Sequence, residues 1–114
     1  MSAVELIERF NAAWLRGDLP EVLACLNDDI VYSTSGRDGK AVTYRGLEAV
    51  SAIFAEYVGD DPDLRLGPVA AGDGRAVCEW SYPTADDGTT LRGLDLYTIV
   101  DGRISAKDVF AKLA

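Results

Sequence analysis

Histidine is absent from this chain of 114 residues, and cysteine occurs only twice. The absence of histidine excludes a Cys-His nucleophile pair, a Ser-His-Asp triad and a histidine-ligated zinc site. Cys25 falls in a helical apolar pattern and Cys78 in a strand pattern, with no Cys-x-x-Cys spacing. We therefore expect two buried thiols, no metal site and no cofactor.

Positive charge is also scarce, since 11 lysines and arginines face 19 acidic residues, for a net charge of −8. The electrostatic field of such a negative protein repels nucleic acid and anionic membrane surfaces. The apolar runs are far shorter than the roughly 20 residues that span a bilayer. The first residues lack the charged, apolar and small-residue order of a signal peptide. We expect a cytoplasmic protein that binds neither nucleic acid nor membrane.

The composition is that of one ordinary folded domain over residues 1–114, with 48% hydrophobic residues and no repeat. Ser2-Ala-Val-Glu5 is a capping box that predicts a first helix, ended by Gly17. Asp18 and Pro20 begin a second helix through about Leu26, and Gly46 precedes a third. Strand patterns cover residues 30–34, 41–44, 64–71, 75–82 and the final hairpin. This order predicts an α+β domain with helices on one face of a curved, mostly antiparallel sheet.

The hairpin near the end of the chain carries two aspartates on apolar strands. Asp101-Gly102 predicts a two-residue turn, and the resulting register places Asp95 opposite Asp108. Their Cβ atoms would then lie roughly 4.5–5.5 Å apart, close enough for the carboxylates to share a proton and supply acid and base together. Three alternatives stay open. A bulge would break the register, both side chains could point to solvent at a sheet edge, or Lys107 or an arginine could neutralise each aspartate.

Both faces of strand 90–100 are apolar, and Leu94, Leu96 and Val100 share one of them. Helices cover only the concave face of such a sheet. We therefore expect the outer face to form a homodimer.

Four segments, in this order and spacing, carry a resemblance to a known family: Phe10-Asn-Ala-Ala-Trp-Leu-Arg-Gly-Asp18, Leu26-Asn-Asp-Asp-Ile-Val-Tyr32, Tyr44-Arg-Gly46, and Gly93-Leu-Asp-Leu-Tyr97 with Asp101-Gly-Arg-Ile104. The chain resembles a SnoaL-like domain of the nuclear transport factor 2-like superfamily. Ketosteroid isomerase, polyketide cyclases and limonene epoxide hydrolase also belong to that superfamily.

The resemblance implies a cone-shaped, cystatin-like sheet closed by helices around a deep apolar pocket, usually in a homodimer. Such a pocket is the usual form of a small-molecule site. Placed by position, its predicted lining surrounds Asp95 and consists of Phe10, Trp14, Tyr32, Thr34, Phe54, Tyr57, Trp80, Tyr97 and Phe110.

The family positions also bear on chemistry. Asp95 matches the strand position of an oxyanion-binding aspartate in ketosteroid isomerase and of an acid/base aspartate in polyketide cyclases. Thr34 and Phe10 stand where the isomerase has its base and its tyrosine, which argues against that mechanism. Asp108 matches an aspartate of limonene epoxide hydrolase, but the partner aspartate and arginine of that enzyme have no counterparts here.

Two hypotheses follow. The first is a cofactor-independent acid/base enzyme, of isomerase, cyclase or dehydratase type, acting on an apolar carbonyl compound. Asp95 would move the proton, and Tyr32 or Tyr57 would donate to the enolate oxygen. The second is a hydrophobic-ligand-binding or dimerisation domain without turnover. A salt-bridged Asp95 favours the second hypothesis, and a buried Asp95 able to take up a proton favours the first.

Overall fold

The computed structural model describes residues 1–35, 39–60, 62–83 and 90–113. The turn predicted near residues 86–88 lies outside these ranges. The elements in chain order are α1 (Ala3–Leu15), α2 (Leu19–Ala24), β1 (Leu26–Ser35), β2 (Ala41–Arg45), α3 (Leu47–Tyr57), β3 (Arg65–Gly72), β4 (Arg75–Pro83), β5 (Thr90–Val100) and β6 (Arg103–Leu113).

The strands form one open sheet of six in the order β2-β1-β6-β5-β4-β3. All neighbours are antiparallel except β1 and β6, which run parallel. Helix α1 packs against β3 and β4, and α3 packs against β1 and β2. The α+β class predicted from the sequence is confirmed, and the helices cover one face of the sheet, which we call the inner face.

Local capping explains where the first two helices begin. The Ser2 hydroxyl accepts from the backbone N–H of Glu5, and the Glu5 carboxylate accepts from the backbone N–H of Ser2. The Asp18 carboxylate accepts from the N–H of Glu21 at the start of α2. Ile7 and Phe10 of α1 are buried in the core. Within the described ranges, no helix is both long and apolar enough to cross a membrane.

Cys25 and Cys78 are both buried free thiols, as the sequence predicted. Burial raises the pKa of each thiol above its usual value.

The final hairpin turns where the sequence predicted it. Asp101 and Gly102 have φ angles of +53° and +75°, the left-handed conformation that a two-residue turn of this kind requires. Val100 lies opposite Arg103, and Ile99 lies opposite Ile104, as expected from the turn.

Beyond these two pairs the predicted register is wrong, because Ser105 is an extra residue in β6. Thr98 pairs with Ala106, so every later pair shifts by one position. Asp95 therefore lies opposite Val109, and Asp108 lies opposite Leu96. The two aspartates do not face each other, and the predicted carboxylate pair does not form.

The extra residue is held in place from another strand. The Asn27 side-chain amide donates to the Ser105 hydroxyl at 2.7 Å and to the Val100 carbonyl at 3.0 Å. The backbone N–H of Ile104 also donates to the Cys25 carbonyl at 2.8 Å. The β-bulge is thus stabilised by hydrogen bonds with Cys25 and Asn27, which are far from β6 in the sequence.

The bulge decides which side chains of β6 face the helices. Since successive residues of a strand point to opposite faces, a shift of one position exchanges the two sets. Lys107 and Val109 face inward, whereas Asp108 and Phe110 lie on the outer face with Leu96 and Leu94.

Candidate functional site

A cavity of about 440 Å³ lies between α1, the end of α3 and the inner face of the sheet. Its walls combine aromatic rings and a few aliphatic side chains with polar groups that make up almost half of the exposed wall. The lining residues are Phe10, Asn11, Trp14, Tyr32, Thr34, Tyr57, Asp60, Leu64, Leu66, Trp80, Tyr82, Asp95, Lys107 and Val109. A concave site that combines apolar and aromatic walls with polar groups able to orient a ligand is typical of small-molecule binding.

Most residues that the sequence placed at the pocket are found on its wall: Phe10, Trp14, Tyr32, Thr34, Tyr57, Trp80 and Asp95. Tyr57 is 46% exposed on the last turn of α3. Phe54 and Tyr97 are fully buried in the core next to the lining residues, where Phe54 packs edge-on to Trp14 at 5.0 Å between ring centroids.

The placement of Phe110 in the pocket is wrong, since it lies 52% exposed on the outer face. Asp108 is on that outer face as well. Both errors come from the bulge at Ser105, which reverses the orientation of every later residue of β6. Asp108 therefore has no part in the cavity.

Asp95 is a buried carboxylate, with 6% of its surface exposed. The indole N–H of Trp80 donates to its Oδ1 at 2.9 Å, and the hydroxyl of Tyr97 donates to its Oδ2 at 3.3 Å. The Nζ of Lys107 lies 3.8 Å from the same Oδ2. Of the alternatives left open by the sequence, the structure therefore contains the ion pair between Asp95 and Lys107.

Gly93 permits the contact between Trp80 and Asp95. Trp80 lies opposite Gly93 in the register of β4 and β5, and its indole lies directly over the glycine. A Cβ atom at position 93 would come within 2.1 Å of the indole ring. The missing side chain lets the indole cross β5 and bring its N–H to the carboxylate.

Lys107 is only 7% exposed, and its ammonium lies among aromatic rings. Nζ is 4.4 Å from the ring centroid of Trp14 and 5.5 Å from those of Phe10 and Tyr32, and the Phe54 ring is at 5.6 Å. A cation within about 6 Å of a ring face is attracted by the ring quadrupole. The rings and the Asp95 carboxylate together compensate the loss of hydration of the ammonium.

Lys107 was not among the site residues predicted from the sequence. The only signal in the sequence is the alternation of inward and outward residues along β6. That alternation turns Lys107 inward only if the strand contains a bulge. The prediction treated this lysine as a possible surface partner of an aspartate. The structure instead places it on the cavity wall beside Asp95.

Two tyrosine hydroxyls near the pair stay protonated over a wide range of pH. Burial raises the pKa of Tyr32 to about 12, with the Thr34 side chain acting in the opposite direction and the charge of Asp95 adding to the rise. Burial and then the Asp95 charge raise the pKa of Tyr97 well above its usual value. At neutral pH both groups are hydrogen-bond donors.

Residues 7–107 match the family model of the SnoaL-like domain. The chain belongs to this family. A comparison with curated protein sequences found no match for this SnoaL-like chain.

Solved structures with the same fold include three that cover nearly the whole SnoaL-like chain. A nuclear transport factor 2-like protein from Mesorhizobium loti is 22% identical, with a TM-score of 0.75 over 95% of this chain and 88% of that one. A proposed polyketide cyclase from Pseudomonas putida is 23% identical, with a TM-score of 0.69 over 96% and 91%. A proposed ketosteroid isomerase from Kribbella flavida is 21% identical, with a TM-score of 0.74 over 97% and 78%. These structural similarities show the fold alone, since the sequence identities are low.

Proposed function

We propose that this SnoaL-like domain is a cofactor-independent acid/base enzyme that acts on an apolar carbonyl compound, with Asp95 moving the proton. The observation that carries the proposal is a buried carboxylate on the wall of an aromatic cavity of about 440 Å³. A carboxylate held away from bulk water is suited to take a proton from carbon, because water does not compete for it.

The proposed reaction begins when Asp95 removes a proton from the carbon next to the carbonyl. The electrons of that C–H bond form a carbon–carbon double bond, and the carbonyl π electrons move to oxygen. Where the enolate is conjugated with a second carbon–carbon double bond, return of the proton to the far carbon of that bond gives an isomer. Attack of the enolate carbon on a second carbonyl instead closes a ring, and the new alkoxide takes the proton from Asp95. The Tyr32 hydroxyl, protonated at neutral pH, is available as a donor to the substrate oxygen.

The arrangement of donors around Asp95 leaves room for this role. A carboxylate has about four lone-pair positions on its two oxygens. Trp80 and Tyr97 each occupy one, and Lys107 approaches a third. The same donors also hold the carboxylate in one orientation, which preorganises it towards a bound substrate.

The named neighbours are compatible with this class of reaction. Two of the similar structures are a proposed polyketide cyclase and a proposed ketosteroid isomerase. Both names describe chemistry at a carbon next to a carbonyl group. They support the choice of substrate class, while the residues of this chain carry the argument for Asp95.

The ion pair of Asp95 favours a second candidate, a binding domain that holds an apolar ligand without turnover. The Asp95 carboxylate already accepts two hydrogen bonds and faces an ammonium at 3.8 Å, so protein donors engage most of its lone pairs. In this alternative the pair orients a ligand carbonyl, and no proton leaves carbon.

Deuterium exchange separates the two candidates. The probe is 1-indanone, a rigid bicyclic ketone with exchangeable hydrogens next to its carbonyl, incubated with the protein in deuterated buffer and followed by proton NMR. The wild type should speed the loss of these hydrogens, and Asp95→Asn should reduce the rate to that of buffer. Asp108→Asn is the matched control, since it makes the same substitution on the outer face.

A catalytic rate retained by Asp95→Asn would contradict the role of Asp95. If the wild type binds the ketone but does not accelerate the exchange, the proposal of an enzyme is contradicted and the binding domain is supported.

A further inference from the structure

Lys107 is a buried cation whose side chain lies on the cavity wall. Its side chain is 9% exposed, and the nearest acceptor atom that pairs with it is Asp95 Oδ2 at 3.8 Å, beyond hydrogen-bond distance. Among the described residues, no atom accepts a hydrogen bond from Nζ. An ammonium has three N–H donors, so this group can donate to an oxygen atom placed in the cavity.

The ammonium lies where a bound molecule would meet it. Lys107 lines the cavity of about 440 Å³, together with Asp95 on the neighbouring strand. The rings of Phe10, Trp14 and Tyr32 hold the ammonium by their faces and offer it no strong acceptor. From this position its N–H groups can donate to an oxygen in the cavity.

We infer that Lys107 is a second binding and catalytic group, whose ammonium holds the carbonyl oxygen of a neutral ketone or aldehyde and the negative charge that develops on that oxygen. This inference rests on the proposed function of the cavity as a site for carbonyl compounds. Lys107 thus contacts the carbonyl oxygen of the substrate, and Asp95 takes the proton from the adjacent carbon.

The short distance between Lys107 and Asp95 supports this division of roles. The ammonium nitrogen and the carboxylate oxygen are 3.8 Å apart, which suits simultaneous contact with a carbonyl oxygen and the adjacent C–H group. When Asp95 takes the proton, the enolate oxygen gains a negative charge beside the Lys107 cation. The total charge of the site is unchanged by the step, and the ion pair of Asp95 with Lys107 becomes an ion pair of the enolate with Lys107.

The charges on the cavity wall favour a neutral ligand over an acid. Asp95 and Asp60 line the cavity, and Lys107 is the only cation among its described lining residues. A carboxylate ligand would meet two acidic groups and one basic group. A ketone or aldehyde brings a hydrogen-bond acceptor without a net charge, so the substrate class is a neutral carbonyl compound.

Infrared spectroscopy of a bound ketone tests the contact without any need for turnover. The carbonyl of 1-indanone, labelled with carbon-13 and bound to the protein, should absorb at lower frequency than in an apolar solvent, because an ammonium polarises the bond. Lys107→Met should abolish this shift and weaken binding roughly ten- to a hundredfold, the range expected for a hydrogen bond to a charged group.

Three further variants serve as controls. Lys107→Arg keeps the charge and should keep part of the frequency shift. Lys112→Met makes the same substitution on the same strand at an exposed outer position and should leave the frequency shift and the affinity for the ketone unchanged. If Lys107→Met does not fold, Asp95→Asn/Lys107→Met removes both buried charges and takes its place.

A frequency shift that persists without Lys107 would overturn the inference and leave the function proposed for Asp95 intact. A shift that depends on Lys107, in a protein that does not exchange the ketone hydrogens, would support the inference and refute turnover. Failure of the wild type to bind the ketone would overturn both.

Discussion

At the scale of single residues, the molecule accommodates two buried charges by pairing them. Asp95 receives donors from Trp80 and Tyr97, whereas Lys107 depends on aromatic faces and on the Asp95 carboxylate. Removing one member of a buried pair leaves the other uncompensated, which costs more than removing both. The pair is therefore coupled in stability as well as in the proposed chemistry.

A double-mutant cycle measures this coupling. Asp95→Asn and Lys107→Met should each lower the free energy of unfolding by about 3 kcal/mol, because each strands a buried charge. The double variant should be clearly more stable than the sum of the single effects predicts. The measurement is urea denaturation followed by tryptophan fluorescence, and simple additivity would mean that the two groups do not interact.

Tyr32 makes stability depend on pH in the alkaline range. The folded protein holds the phenolic proton up to a pKa of about 12, whereas an unfolded tyrosine loses it near pH 10. The free energy of unfolding should therefore fall as pH rises through this window, by on the order of 2 kcal/mol from this group. Denaturation curves from about pH 9 to about pH 12 should show a shallower fall for Tyr32→Phe, and equal slopes would contradict the buried hydroxyl.

The sequence indicated many of these residues but not their partners. Aromatic residues at helical and strand spacing gave most of the cavity lining, and Asp95 was placed on the inner face. Lys107 was missed because its orientation depends on Ser105, whose position is set by Asn27 on another strand. Contacts between segments far apart in the chain are not visible in the local alternation of β6.

At the scale of elements, the hairpin of β5 and β6 determines the site. The sequence predicted the strands and the turn, since Asp101-Gly102 and the flanking β-branched residues are local signals. It missed the bulge, and one extra residue was enough to move Asp108 and Phe110 to the outer face. The helices were predicted well because their caps, Ser2 and Asp18, are also local.

The contact between β4 and β5 gives a prediction for Gly93. Gly93→Ala would place a Cβ 2.1 Å from the Trp80 indole and displace the ring from Asp95. We expect a loss of about 1–3 kcal/mol in the free energy of unfolding, together with a change in the near-ultraviolet circular dichroism of tryptophan. Gly72→Ala is the matched control, since a Cβ there would meet nothing within 4 Å. Equal behaviour of the two variants would contradict the packing of Trp80 on Gly93.

At the scale of the whole molecule, the outer face of the sheet has a self-complementary pattern. Leu94 and Phe110 form an apolar centre, Arg92 and Lys112 lie at one end, and Asp108 lies at the other. A two-fold axis through the centre would place the cations of one copy against the aspartate of the next. We propose that this face forms the homodimer expected from the sequence.

Sedimentation velocity tests the dimer. The wild type should sediment as a dimer, and Phe110→Glu should sediment as a monomer. Val42→Glu is the control, because Val42 is also an exposed apolar residue but pairs with Thr34 of the cavity wall. A monomeric wild type, or a dimer that survives Phe110→Glu, would contradict the proposed interface.

The most direct test of the site as a whole is NMR of the lysine side chains. The chain has three lysines, at positions 40, 107 and 112, so labelling lysine at Cε gives a spectrum that variants can assign. The Lys107 signal should be shifted by the surrounding aromatic rings, and it should move when 1-indanone is added while the Lys112 signal stays in place. A Lys107 signal at the position of an exposed lysine, unaffected by the ketone, would contradict both the buried pair and the cavity as its binding site.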